Sequence, residues 1–347
     1  MKKLLALVLA LVMSMSLVTI SNAAYSDKAD IDLKEAVDVL SAVGVFEGSD
    51  GKFDPKANLT REQAAKLVAY LQLGQKSADA LVGGNKFTDV AANRWSAGYV
   101  DYCATTGVVA GVGNGQFNPT GSLTALQFGK MLLVELGYDA KAEKMVGTDW
   151  AINTSKLMAG TKLMDGISGS VNQVLTREKA AQMCLNALEA PMVTYETKGS
   201  SIIVNGADIN FGASVAKYET STIAKDQNIS KEKLTSGEYT VELGEKLYKK
   251  LVLSDTTDAF GRPTRTWTFE NKKVGEYVKD ADLEYTAAVE YKAIYADLAL
   301  SNAAKIDEYY IDGKEITPAV GHTTISKSDK KEFGANGVLT QVWYDDD

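Results

Sequence analysis

Apolar positions fall into three regimes along the chain, and each predicts a different kind of element. Leu4 to Ile20 is an apolar run without a charge, preceded by Lys2 and Lys3 and followed by Ser21-Asn22-Ala23. A basic start, an apolar stretch and small or polar residues ahead of a cut after Ala23 are the order of a secretory signal peptide, so residues 1–23 are expected to be one. The run is near the lower length limit of a membrane span, but the cleavage pattern follows it directly and no Lys/Arg cluster stops transfer. No later stretch is apolar enough to cross a bilayer.

From Leu33 the spacing becomes helical. Leu33, Ala36, Val37 and Leu40 share one helix face, and Gly44 follows where a left-handed C-cap is wanted. Gly48-Ser49-Asp50-Gly51 is turn chemistry, and Phe53 reads as a core plug ahead of Pro55. Thr60 is placed to cap a second helix, with Gln63 completing a capping box. Ala64, Ala65, Leu67, Val68 and Leu71 form that helix's buried stripe.

This helix–loop–helix unit recurs. Phe53-Asp54-Pro55 and Leu59-Thr60-Arg61-Glu62 return 64 residues on as Phe117-Asn118-Pro119 and Leu123-Thr124-Ala125-Leu126. Leu175-Thr176-Arg177-Glu178 is a third copy, 52 residues further. The turns align as Gly44–Gly48, Gly107–Gly111 and Thr161–Gly166, and Thr124 with Gln127 repeats the capping box. Thr176 has Lys179 at the matching place, so half a box is expected there. Internal repetition of this kind signals an array of similar units.

After Pro191 the pattern changes to short β-branched and aromatic runs: Ser201–Val204, Tyr239–Leu243 and Arg265–Phe269. In the last, Arg265, Trp267 and Phe269 share a face, as in a half-buried strand. Asn205-Gly206 and Asp312-Gly313 are turn signals between such runs. Residues 193–347 are therefore expected to be mainly β, in one or two small sandwich-like modules, with 292–304 an alternative helix. Val338 to Tyr344 reads as a strand just begun, so the chain is expected to be the N-terminal part of a longer surface protein.

Composition narrows the chemistry. The net charge is −8, from 37 basic and 45 acidic residues, and loss of residues 1–23 takes it to −10. An acidic surface argues against nucleic acid and anionic membranes as partners, while a local basic cluster remains able to bind an anionic polymer. The only cysteines, Cys103 and Cys184, lie in helical apolar segments and read as buried free thiols rather than a bridge. No catalytic set emerges. His322 is the only histidine and has no partner in sequence, and Asp345-Asp346-Asp347 falls short of a calcium loop. Gly111-x-Gly113-x-Gly115 follows a helix rather than a strand and matches the repeat turn, so it is no nucleotide loop. No metal, cofactor or enzymatic activity is expected.

A Phe87-Thr88-Asp89-Val90 opening, then Trp95, a Gly-rich turn, Phe-x-Pro and a Leu-Thr-Arg-Glu helix start resembles the S-layer homology repeat of Gram-positive-type surface proteins. The resemblance covers about residues 25–192. It implies an all-α, three-repeat, pseudo-threefold spindle, with copies at 24–80, 81–143 and 144–192, followed by the mainly β region 193–347. It also implies grooves that bind secondary cell-wall polysaccharide, often pyruvylated, without a covalent link. Arg61 and Arg177 begin helices, where guanidinium and free N–H groups can point the same way, and suit an anionic sugar. Trp95 suits a sugar ring, and Asp89 can accept from hydroxyls or cap a turn. The copies are uneven. The second has Ala125-Leu126 in place of Arg-Glu, the first lacks a tryptophan, and the third opens with Thr148-Asp149-Trp150 and lacks Phe-x-Pro. Weak sites on one rigid body still add up through multivalency.

The resulting expectation is a secreted, non-catalytic protein of the cell wall or S-layer, with self-association in a surface lattice and no membrane contact after signal cleavage. The alternative is a wall-tethered enzyme, such as a glycoside hydrolase, or a solute-binding protein. An adhesin differs from the first reading only in its partner.

Overall fold

The computed structural model describes residues 25–197, 200–204, 207–211, 214–223, 228–230, 232–311, 314–316 and 323–344. The proposed leader, the turns Asn205-Gly206 and Asp312-Gly313, His322 and the Asp345–Asp347 tail lie outside them. Two compact units are distinguished: residues 1–253 with 267–275, and residues 254–266 with 276–347.

The first unit begins with the helices α1 (Lys34–Ala42), α2 (Arg61–Leu73), α3 (Gln75–Ala78), α4 (Ala97–Thr105), α5 (Ala125–Glu135), α6 (Trp150–Gly160) and α7 (Arg177–Glu189). The apolar stripe of α2 is fully used, since Ala64, Ala65, Leu67, Val68 and Leu71 are all buried. In α1, Ala36, Val37, Val39 and Leu40 are buried, while Leu33 stands outside as the N-cap. Both capping boxes form: the Thr60 hydroxyl accepts from the Gln63 N–H, and that of Thr124 from the Gln127 N–H. At Thr176 neither half forms, and its hydroxyl is buried without a partner. Lys179 explains the loss of the side-chain half, because its ammonium cannot accept from the Thr176 N–H and donates instead to the Ser168 carbonyl.

The loops repeat in detail. Asp50 and Asn114, then Asp54 and Asn118, hold left-handed backbone at φ 51, 50, 55 and 59°. Phe53 and Phe117 are fully buried plugs, each worth roughly 1.5–3 kcal/mol of transfer free energy. The three Leu-Thr helix starts meet in a ring of backbone hydrogen bonds. The Leu59 N–H donates to Leu175 O (2.8 Å), Leu175 to Leu123 O (3.0 Å) and Leu123 to Leu59 O (3.4 Å). Around that ring the helices pack in rotation: α2 on α4, α5 on α6, and α7 on α1. Cys103 and Cys184 are free and buried, as the sequence implied.

The unit continues past the helices. Strands β1 (Val193–Thr194) and β4 (Lys217–Tyr218) pair, as do β2 (Ser200–Val204) with β3 (Ala207–Phe211) and β5 (Thr220–Ser221) with β6 (Tyr239–Thr240). The run Tyr239–Leu243 is thus a strand only at its start. Glu242 and Glu245 then form a capping box that opens α8 (Leu243–Leu247), which packs on α7. Glu245 accepts from the N–H groups of Ile229, Ser230 and Glu242, and Glu242 accepts from the Thr240 hydroxyl at 2.6 Å. Strand β1 joins the helices where the Val193 N–H donates to Leu136 O (2.8 Å). There Gly137 has φ 98°, and an added Cβ would stand 2.2 Å from Val193 O. Gly137→Ala is accordingly expected to cost at least about 2 kcal/mol, read as a lower thermal midpoint of the 25–347 chain.

Strands β7 (Leu251–Thr257), β8 (Pro263–Phe269) and β9 (Lys272–Val278) form a three-stranded sheet. Trp267 is fully buried and donates through Nε1 to Glu35 Oε1 at 2.6 Å within the first unit. The second unit pairs β10 (Leu283–Tyr285) with β17 (Thr340–Val342), and β11 (Val289–Glu290) with β16 (Glu332–Phe333). A short helix, α9 (Tyr291–Asp297), carries its core: Val289, Tyr291 and Ile294 are buried against Leu283, Ile325, Phe333 and Val342. The expected strand at the C-terminal end is β17. In place of sandwich-like sheets, the described residues of this unit form short ladders around one small core. Among the described residues no helix is long and apolar enough to cross a membrane, and no group of three or more His, Cys, Asp and Glu is placed to hold a metal.

Candidate functional site

Each candidate arginine reaches out of its own repeat into the loop of another. Arg61 is the first residue of α2. Its Nε donates to Phe117 O (2.8 Å), its Nη2 donates to Ala110 O (2.9 Å), and the guanidinium stacks 4.5 Å from the Phe117 ring. Arg177, the first residue of α7, repeats this on the first loop. It donates to Phe53 O (2.8 Å) and Glu47 O (2.9 Å) and stacks 5.1 Å from Phe53. Burial lowers the pKa of both. Three of the five guanidinium N–H donors are outside these bonds in each case, so both side chains clamp the repeats and still present charge.

The glutamates that follow do similar work. Glu62 is buried and accepts from Arg94 Nε and Nη2 (2.7 and 2.8 Å) and from Ser96 Oγ (2.6 Å). Glu178 accepts from Lys56 and from the Asp32 N–H. In the second copy the buried Leu126 takes this position.

Asp89 holds the second loop. Its two oxygens accept from the Phe117 and Asn118 N–H groups, each at 2.7 Å. Burial works against its charge, but those two donors keep its pKa below the usual carboxylate range. Asp27 does the same in the first loop, where it accepts from the Phe53 and Asp54 N–H groups.

Trp95 is half exposed, at 52 %, with its ring 6.3 Å from that of Tyr99. Tyr99 and Tyr70 both donate to Asp79, at 2.7 and 2.6 Å. Trp95 therefore rests on a braced support rather than in the core.

A cleft of about 150 Å³ brings two of the four candidates together: Arg177 and Trp95 line it with Gln63, Lys66 and the Val45–Glu47 turn. Sequence reasoning missed Lys66, whose signal was its position one turn after Arg61-Glu62 on the exposed side of α2. One repeat on, Gln127 and Lys130 occupy the places of Gln63 and Lys66, and Arg61 that of Arg177. Lys130 Nζ lies 6.0 Å from the Trp150 ring at the start of α6. Burial lowers the Lys130 pKa. One repeat further, Ala125 replaces the arginine and Gln182 the lysine, while Lys179 stands at the place of Gln63.

A larger cleft, of about 570 Å³, is lined by Asp27, Asp30, Asp32 and Asp54 against Lys52 and Lys56. Its acidic balance repels an anionic ligand, and Lys56 is already paired with Asp32 and Glu178. The smaller, cationic cleft has the chemistry to stack a sugar ring on indole while arginine and lysine meet a carboxylate.

Residues 24–65 and 86–125 match the S-layer homology domain. The chain is 28 % identical over 280 residues to a cell surface protein of Thermoanaerobacter kivui, covering 76 % of this chain and 35 % of that one. It is 24 % identical over 176 residues to the middle cell wall protein of Brevibacillus brevis, covering 50 % and 16 %. It is 23 % identical over 321 residues to the surface layer protein of Brevibacillus choshinensis, covering 87 % and 27 %. The chain thus spans about a third or less of the length of these relatives. Two stretches of its helical half match the S-layer homology domain, and the chain is similar to cell-surface and S-layer proteins of Gram-positive bacteria.

Proposed function

We propose that the helical half is a pseudo-threefold spindle of three S-layer homology copies, at 24–80, 81–143 and 144–192. It holds a secreted surface protein on the cell wall by binding secondary cell-wall polysaccharide non-covalently. The observation that carries this reading is the cleft where Arg177, Lys66 and Trp95 converge; the repeat puts Arg61 and Lys130 at the matching positions, and Lys130 lies near the Trp150 ring. The hydrogen-bonded ring of Leu59, Leu123 and Leu175 supports the spindle. Asp89 is a positioning residue in this scheme, since both its oxygens hold the loop whose carbonyl receives Arg61. The role is structural rather than catalytic, and residues 193–347 serve as surface modules that take part in a lattice.

The lysines give the cleanest test, because no repeat-to-repeat clamp depends on them. Lys66→Ala with Lys130→Ala is expected to leave the stability of the 25–347 chain within about 1 kcal/mol of wild type. The same variant is expected to weaken co-sedimentation with polymer-bearing wall sacculi by about tenfold or more. Undiminished co-sedimentation would remove the clefts from the binding site.

A further inference from the structure

The two arginines make matching contacts with their turns, but the turns differ in charge. Arg177 donates to the carbonyl of Glu47, and Arg61 to that of Ala110, at the matching turn position. In the first case that residue carries a carboxylate, and its Oε2 lies 3.0 Å from Lys66 Nζ, with the Gln75 amide on the other oxygen. In the second case the residue is an exposed alanine. Among the described residues no carboxylate lies within ion-pair distance of Lys130, whose ammonium faces the Trp150 ring. Each arginine has loop aspartates near it, Asp54 and Asp27 at Arg177 and Asp89 at Arg61, so the difference in charge between the two sites is the Glu47 carboxylate on Lys66.

We propose that Glu47 is the specificity-determining residue between the two clefts. Its carboxylate takes the place on Lys66 that an anionic ligand would occupy, so a carboxylate-bearing sugar fills the Arg61–Lys130–Trp150 cleft first. This rests on the polysaccharide-binding reading and adds an order of occupancy to it. An arriving carboxylate at the Arg177 cleft must displace Glu47 from Lys66 and then lie beside a like charge, which weakens binding even where solvent screens it. At the Arg61 cleft, among the described residues, no carboxylate stands on the matching lysine, Lys130.

The experiment is a fluorine NMR titration of the 25–347 chain labelled with 5-fluorotryptophan. The probe is the methyl glycoside of a hexosamine bearing a pyruvate ketal. Trp95 and Trp150 report one cleft each, and Trp95→Phe and Trp150→Phe assign their signals. The midpoint at Trp150 is expected to lie about tenfold below that at Trp95. Glu47→Gln is expected to bring the two within about threefold, and Ala110→Glu to weaken the Trp150 response by a similar factor to the original gap. Both substitutions are at exposed turn positions, and the wild-type ratio alone is already decisive. Equal midpoints, Trp95 filling first, or a ratio unmoved by Glu47→Gln would overturn the proposal while leaving polysaccharide binding in place. Silence at both tryptophans would overturn the binding reading and this inference with it.

Discussion

Glu135→Gln is expected to stabilise the first unit by about 3 kcal/mol at pH 7 and to change little at pH 4. Glu135 ends α5 and is only 5 % exposed, and among the described residues no well-formed hydrogen bond reaches either carboxyl oxygen. Burial pushes its pKa from 4.5 to about 8, with the nearby Gln72 amide opposing the shift weakly. A carboxyl whose pKa is higher in the folded chain costs nothing below the unfolded value. It then costs progressively more as pH rises toward the folded value, and the cost is constant above about 8. The isosteric amide has no charge to bury, so the stability gain of the variant should grow between pH 4.5 and about pH 8 and then level off. Urea unfolding of the 25–347 chain at about pH 4, 6, 7 and 8.5, followed by amide exchange in α5, measures this. A gain that is flat across the range would show that the carboxyl is not what limits stability there.

Arg177→Ala is expected to cost about 3 kcal/mol, from two charge-assisted hydrogen bonds and the Phe53 stack. The substitution leaves the Phe53 and Glu47 carbonyls without their donor and opens the contact between the last repeat and the first loop. Arg177→Lys should recover little, since one ammonium cannot reach both carbonyls and stack on the ring at once. Amide exchange at Leu59, Leu123 and Leu175 is the readout, because the ring of hydrogen bonds loosens with the clamp. Protection unchanged from wild type would mean the guanidinium is held by the loop without holding it. The prediction also explains why the arginines are poor single probes of binding: removing them disturbs the cleft's frame as well as its charge.

Much of the helical half was legible in the sequence because its signals are local. Gly44, Phe53 and the Thr60–Gln63 box each act within a few residues, and their recurrence at Gly107, Phe117 and Thr124–Gln127 fixes the unit. What stayed hidden depends on which unit touches which. The donors of Arg61 and Arg177 go to carbonyls 49 to 130 residues away, which no spacing rule reveals. Trp150 looked like a weak opening because the offset shortens from 64 to 52 residues between copies, which blurs the alignment at that point. Lys66 and Lys130 carry no motif of their own, and only the folded turn and the tryptophan of the next repeat set them apart from other helix lysines. Glu135 gave no warning at all, since a glutamate at a helix end is ordinarily exposed. Past Pro191, two-residue strands such as β1 and β5 are too short for a period, and Glu242 ends a β-like run by capping a helix.

The most direct test of wall anchoring is co-sedimentation of the 25–347 chain with purified Gram-positive sacculi, before and after acid removal of the secondary polymer. Anchoring through the polymer predicts that the chain pellets with intact sacculi and stays in solution with stripped ones. Equal pelleting with both would contradict it, because the grip would then be on peptidoglycan and the cationic clefts would have no anionic polymer to hold.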